Sequence, residues 1–247
     1  MELLKQNSTL RTRSTFMKKA FLISLILAFV GSLSTAQSSN RPLSLESNSL
    51  SVSVLGGAFA PVNGKFDATR DITDVLETGP SLGVSLSYSL SPLLSLRGSY
   101  DFAYNNFDSK YRPTGKVPAF VAPMVTTDLV LKFGSVIKGN DILNPYCFSG
   151  TGLYLWKISE DGTCGQGKGN PMRSAKGTEW KDCSFELHTG IGAEAYVHSN
   201  LSLFAEGQFR YVFSKDAHDF GSDFGNLLFF KISGGVTYYF SLDGGSK

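Results

Sequence analysis

Taken at alternate positions, the stretch 227–240 separates into two lists of different chemistry. Leu228, Phe230, Ile232, Gly234, Val236, Tyr238 and Phe240 hold no polar group but one phenol, while Leu227, Phe229, Lys231, Ser233, Gly235, Thr237 and Tyr239 carry a charge and hydroxyls. Successive side chains of a strand point to opposite faces, so this stretch predicts a strand with an apolar, aromatic-ended face and a polar one. The pattern recurs in 49–60, 81–90, 93–104, 123–135, 144–158, 183–197 and 201–213. In 81–90 it sets Leu82, Val84, Leu86, Tyr88 and Leu90 against Gly83, Ser85, Ser87 and Ser89. In 144–158, Tyr146, Phe148, Gly150, Gly152, Tyr154 and Trp156 share one face. The connections alternate long and short, beginning and ending on a long one. Strands of about 10 residues or more with that parity predict an all-β, eight-stranded antiparallel up-and-down transmembrane β-barrel. A β-sandwich would space its turns more evenly, and a soluble barrel of the lipocalin kind would carry its greasy face inside.

The charges decide which face is inner. Arg97, Asp101, Asp128, Lys132, Glu186, Glu194, Glu206, Arg210 and Lys231 all fall opposite the apolar face, with His188 beside them. Buried ions of both signs require partners, so they are expected to form a lumenal charge network. Arg210 and Glu206 lie four apart on one strand, about 13 Å, too far to pair with each other. Arg210 and Glu206 are therefore expected to meet opposite charge on neighbouring strands, at Glu194 or His188 on the sixth and Lys231 on the eighth. Eight strands enclose only enough room for side chains or one small ligand, which leaves a filled, structural barrel or a narrow small-solute pore.

Near the N-terminus, Met17-Lys18-Lys19 precedes the apolar run 20–30 and the small-residue site Ser34-Thr35-Ala36. That is the layout of a secretory signal peptide cleaved after Ala36, with Met17 as an alternative start. The apolar run falls short of the ~20 residues of a spanning helix. Setting residues 1–36 aside removes five of 23 basic and one of 21 acidic residues, so 18 face 20 and the formal charge of +2 becomes −2. Nucleic-acid binding thus has no electrostatic support. Residues 37–48, rich in Ser, Asn and Gln, read as a flexible entry, 49–240 as the barrel and 241–247 as a tail.

Candidate chemistry is sparse. Cys164 and Cys183 flank the longest connection, and a bridge between them would close a loop of about 20 residues for about 3 kcal/mol; Cys147 would then be a small buried thiol. Glu186 and His188 are two apart on the inner face, compatible with a ligand pair but equally with membership of the network. His218 lies among Asp216, Asp219 and Asp223 in the last connection, a solvated acidic loop with at most weak cation affinity. Gly150/Gly152 and Gly190/Gly192 lie within strands and are packing features, not a phosphate loop. No catalytic residue, metal site or cofactor is expected.

The motif Ser233-x-Gly235-x-x-Tyr238-x-Phe240 resembles the C-terminal signal read by the outer-membrane assembly machinery. With Asn144-Pro145-Tyr146 and the run Asn200-Leu201-Ser202-Leu203-Phe204-Ala205-Glu206, the stretch 49–240 resembles the small eight-stranded outer-membrane barrels related to the OmpA transmembrane domain and OmpX. The resemblance implies a monomeric protein of the cell outer membrane, surrounded by its lipids, inserted by that machinery and binding some surface ligand through its external loops. The tail beyond Phe240 departs from the family pattern, and no peptidoglycan-binding domain follows. His198-Ser199-Asn200 resembles a motif of outer-membrane lipid A deacylases with one residue missing, in what reads as a tight turn; an enzyme is not expected.

Overall fold

A computed structural model of the chain describes residues 48–67, 69–112, 117–134, 142–159, 177, 179–214 and 225–241. The expected leader, the entry segment up to 47, and the tail from 242 onward lie outside these residues. All eight patterned stretches form strands: β1 (Ser49–Asn63), β2 (Gly79–Ser89), β3 (Leu94–Asn106), β4 (Ala119–Lys132), β5 (Leu143–Ser159), β6 (Lys181–His198), β7 (Leu201–Phe213) and β8 (Leu227–Ser241). Each is antiparallel to its sequence neighbours, and β8 pairs with β1 to close the barrel. Closure leaves no free sheet edge, the condition for a sheet to sit in a bilayer. A short helix, α1 (Ile72–Val75), and one 3-10 turn (Ser109–Tyr111) lie in the long connections.

At the closing seam the backbones approach closely. A Cβ on Gly57 would lie 2.0 Å from the Ile232 carbonyl oxygen, and one on Gly235 2.1 Å from that of Val54. Only glycine fits there. Asn48, read as part of the flexible entry, is tied to β2: its N–H donates to the Ser89 carbonyl at 2.8 Å and its side chain accepts from the Tyr88 hydroxyl at 3.1 Å.

The fourth strand departs from the expected start at Pro123. It begins at Ala119 and runs through the proline. Proline has no N–H to give to a ladder, and the β4–β5 ladder registers the loss. Its register is unshifted from Ala119↔Ser159 to Lys132↔Tyr146, yet the pairs Ala122–Trp156 and Pro123–Leu155 are missing. On its other side Pro123 stays in register with Phe102 of β3.

The outer surface is an apolar belt; Ile191 is 72% exposed, Leu82 66% and Val54 62%. Water would not tolerate so continuous a greasy surface, whereas hydrocarbon favours it. The interior divides along the axis. Serines and charged groups fill the half toward the short turns. The half toward the long connections is an apolar core of Phe59, Phe120, Met124, Tyr154, Trp156 and Phe229, capped by Phe66, Ile72, Val75, Phe107 and Trp180. Phe59 stacks on Phe229 at 4.6 Å between ring centroids, and Phe66 on Trp180 at 5.3 Å. The lumen expected to be polar is thus polar over only part of its length. In β5 the aromatic-rich face is the inner one, with Tyr146, Phe148, Tyr154 and Trp156 all buried.

Candidate functional site

The inward alternation of β3, β4, β6, β7 and β8 delivers charged side chains into a barrel so narrow that opposite walls meet. The result is one unbroken chain of contacts. Lys231 Nζ donates to Asp101 Oδ1 at 2.7 Å, and Arg210 Nη2 donates to Asp101 Oδ2 at 2.7 Å. Arg210 Nη1 donates to Glu186 Oε1 at 2.8 Å, which also faces His188 Nδ1 at 3.4 Å. His188 Nε2 bonds Asp128 Oδ1, and Arg97 Nε donates to Asp128 Oδ2 at 2.7 Å. Arg97 Nη1 then donates to Glu206 Oε2 at 2.9 Å, while its guanidinium lies 4.4 Å from the centroid of Phe148. Eight ionisable side chains from five strands are joined, every one of them buried. Neutral groups add to it: the Tyr146 and Ser233 hydroxyls donate to Glu206 at 3.2 and 3.3 Å, and Arg210 Nε donates to Gln208 Oε1 at 3.1 Å, while Glu186 Oε2 finds no hydrogen-bond partner among the described residues. Buried ions are tolerated only with such partners, and Glu186 is the least well supplied of these carboxylates.

The partners of Arg210 correct the sequence expectation. They are Glu186 on β6 and Asp101 on β3, across the lumen, not Glu194 or His188. Glu206 likewise meets Arg97 of β3, not Lys231. In an eight-stranded ring the interior is only as wide as its side chains, so the far wall is as near as the adjacent strand. The alternation of residues reveals faces but not this span.

Lys132 and Glu194 stand apart from the chain, nearer the short turns. Glu194 accepts from the hydroxyls of Tyr196 at 3.2 Å, Ser202 and Tyr239. Lys132 donates to Ser89 at 3.4 Å, with its ammonium 5.7 Å from the Tyr239 ring centroid. Both border a cavity of ≈ 40 Å³ lined also by Ser51, Ser53, Ser87, Ser95 and Thr237.

At the opposite end the first long connection folds onto itself. The Asp67 carboxylate accepts from the Thr69 and Arg70 backbone N–H groups, both at 2.9 Å, and from Arg70 Nε at 2.6 Å. The Arg70 guanidinium hydrogen bond is the main reason the Asp67 carboxyl titrates at about 2. Arg70 also lies over the rings of Phe66 and Tyr111, 5.4 and 5.1 Å from their centroids. This end therefore presents an ordered, mixed polar and aromatic surface.

The other sequence candidates resolve simply. His198 Nδ1 bonds Asn200 Oδ1 at 2.6 Å and the Ser199 hydroxyl at 3.2 Å within an exposed turn, and Asn200 Nδ2 donates to the Tyr238 hydroxyl at 2.8 Å. Tyr238 and Phe240 both face outward, edge to face at 4.8 Å, while Gly235 holds the seam. Cys147, expected to be buried, is half-buried on the outer face, because the inner set of β5 is the even-numbered one that includes Tyr146 and Phe148. Cys183 is a free, exposed thiol. Cys164 lies outside the described residues, as do His218, Asp216, Asp219 and Asp223. The alternation does not reveal the apolar half of the lumen as a unit, although Leu227 and Phe229 share the polar face of the last stretch with Lys231.

Neither a family model nor a curated protein matches the sequence. Several solved structures resemble it in shape. Neisserial surface protein A is 14% identical with a TM-score of 0.49, over 78% of this chain and 97% of that one. Ail, the attachment invasion locus protein of Yersinia pestis, solved in complex with the heparin analogue sucrose octasulfate, is 15% identical with a TM-score of 0.44, over 79% and 99%. The outer membrane protein AlkL, determined in lipid bilayers, is 15% identical with a TM-score of 0.46, over 86% and 97%. With eight antiparallel strands in sequence order, a closed ring, an apolar outside and a charged interior, the chain has the fold of the small eight-stranded outer-membrane barrels.

Proposed function

We propose that the chain works in the outer membrane as a barrel closed to solutes, in a structural or surface-binding role carried by its long-connection end. The apolar core across that half of the lumen carries this reading. Phe59, Phe120, Tyr154 and Phe229 are each at most 1% exposed, and each ring lies within 6.5 Å of at least two of the others in stacked or tilted pairs. Beneath them the ion-paired chain occupies the axis. The cavity of ≈ 40 Å³ has room for a few waters and does not reach through the core. The surface around Asp67, Arg70 and Tyr111 is the part offered to a ligand, and loops of this kind carry binding specificity. In this reading the protein is a monomer, exported by its leader and inserted by the assembly machinery. It has no catalytic role.

Single-channel recording in planar bilayers tests the closure. Refolded protein is expected to give no conductance steps; steady, reproducible steps would establish the small-solute pore instead.

A further inference from the structure

Unpartnered polar atoms gather at one place in the lumen. The Thr126 and Tyr154 hydroxyls, Glu186 Oε2 and His188 Nδ1 are all buried, and none makes a hydrogen bond among the described residues. They come from three neighbouring strands, β4, β5 and β6. Thr126 and Glu186 are both register partners of Gly152, as Asp128 and His188 are of Gly150. Tyr154 is the next inward residue of β5 beyond Gly152, about 7 Å along the strand.

The two glycine rows span the same distance, about 10 Å from β4 to β6 over bare β5 backbone. Across Gly150 two long side chains close it. Asp128 Oδ1 and His188 Nε2 bond directly, passing 2.3 and 2.8 Å from where a Cβ would stand. Across Gly152 one of the pair is a threonine. Its side chain leans over the glycine, with Cγ2 2.8 Å from the Cβ position, but its hydroxyl is one bond shorter in reach than an aspartate oxygen. Glu186 is drawn aside by Arg210, whose Nη1 holds Oε1 at 2.8 Å. The hydroxyl and Oε2 are left unjoined. The same Arg210 nitrogen lies 3.3 Å from the sulfur of Met124, the register partner of Tyr154, which sets the Tyr154 row against Glu186. Glu186 and Arg210 are the charges acting on the Tyr154 hydroxyl. Stacking of the tyrosine ring on Phe59 and Phe229 fixes that hydroxyl where the aromatic core meets the charged half.

The unmet groups define what can join them. An anion would face Glu186, and a cation would compete with Arg210 and His188 for one carboxylate. Each hydroxyl both donates and accepts, whereas the carboxylate only accepts. A small neutral molecule that does both satisfies all three. We propose that one water molecule is bound over Gly152, donating to Glu186 Oε2 and Thr126 Oγ1 and accepting from the Tyr154 hydroxyl. Three hydrogen bonds are the usual complement of a buried water. Through it the aromatic core is tied to the ion-paired chain by a link that neither makes directly.

The unaltered chain, refolded in detergent and crystallised, is expected to show an ordered water within about 3.2 Å of Glu186 Oε2 and of both hydroxyls. A direct Tyr154–Glu186 bond, or a dry contact there, would overturn the site. Urea unfolding reads the same bonds in solution. Tyr154→Phe and Thr126→Val should each raise the unfolding constant about fivefold, the weight of one hydrogen bond. The double variant should raise it by much less than the product, since either change evicts the water. Hydroxyls buried dry would give the opposite sign, each deletion stabilising the barrel. Stabilised single variants or an additive cycle would therefore sink the proposal. Where a variant does not refold, the density of the unaltered chain decides.

Discussion

At the scale of single residues, Arg210 is the most exposed to test. Its guanidinium joins Asp101 and Glu186, 2.7 and 2.8 Å away, and both carboxylates are buried. Arg210→Ala leaves Glu186 without its guanidinium in a poorly solvated interior, while Asp101 keeps Lys231, and this costs about 3–5 kcal/mol. The urea midpoint in detergent, scored by the heat-modifiable gel shift of folded barrel, should fall clearly. Thr189→Ser, on the outer face, should stay near wild type. Equal midpoints for Arg210→Ala and wild type would mean that the guanidinium is hydrated. Glycines in the strands offer a matched contrast. A Cβ on Gly150 would lie 2.4 Å from the Thr127 carbonyl oxygen, which is backbone, and 2.3 Å from Asp128 Oδ1; one on Gly98 would meet nothing within 4 Å. Gly150→Ala is therefore expected to lose about 1–3 kcal/mol, and Gly98→Ala to hold or gain up to about 1 kcal/mol. A Gly150→Ala barrel as stable as wild type would show that β4 and β5 separate freely at that level.

At the scale of elements, β4 is the informative strand. Pro123 leaves the Leu155 carbonyl without the N–H it would otherwise receive, so Pro123→Ala should restore one ladder bond and raise the midpoint by about 1 kcal/mol. Hydrogen exchange checks the cause: the new amide at 123 should be protected, and rapid exchange there would mean that something other than the proline holds the strands apart. The same strand marks how far the sequence could be read. Alternation made β2, β7 and β8 plain, because Leu82 to Leu90 or Lys231 to Tyr239 change chemistry at every step. It also placed Arg97, Asp101, Asp128, Glu186, His188 and Lys231 on inner faces. It could not carry β4 back to Ala119, since a proline ordinarily argues against a strand interior. Nor could it show Asp101 reaching Arg210 and Lys231, because a face assignment holds no information on depth or on distance across the ring. The apolar half of the lumen escaped for the same reason. Phe229 sorts with Lys231, its own neighbour on a strand, whereas its contacts are with Phe59 and Phe120 on other strands.

At the scale of the whole molecule, the two ends differ in kind, and the parity of long and short connections predicts which side each faces. Single cysteines in a cysteine-free background, labelled on intact cells, should react at position 111 and stay silent at position 199. The reverse would invert the topology. The chain of alternating charges also bears on how such a molecule comes to exist. Asp101 and Lys231 are 130 residues apart, and Asp101 and Arg210, like Arg97 and Glu206, are 109 apart. None of these bonds can form in a half-built sheet, where β3 and the last two strands have not met. An open sheet inside hydrocarbon would hold eight ionisable groups and two bare edges in contact with lipid, a state too costly to populate. Joining β1 to β8 and dehydrating the interior must therefore happen in a single event. The folding barrier lies in bringing distant ends of the chain together, and once the ring shuts, the ion pairs act as a latch that a local fluctuation cannot release one strand at a time.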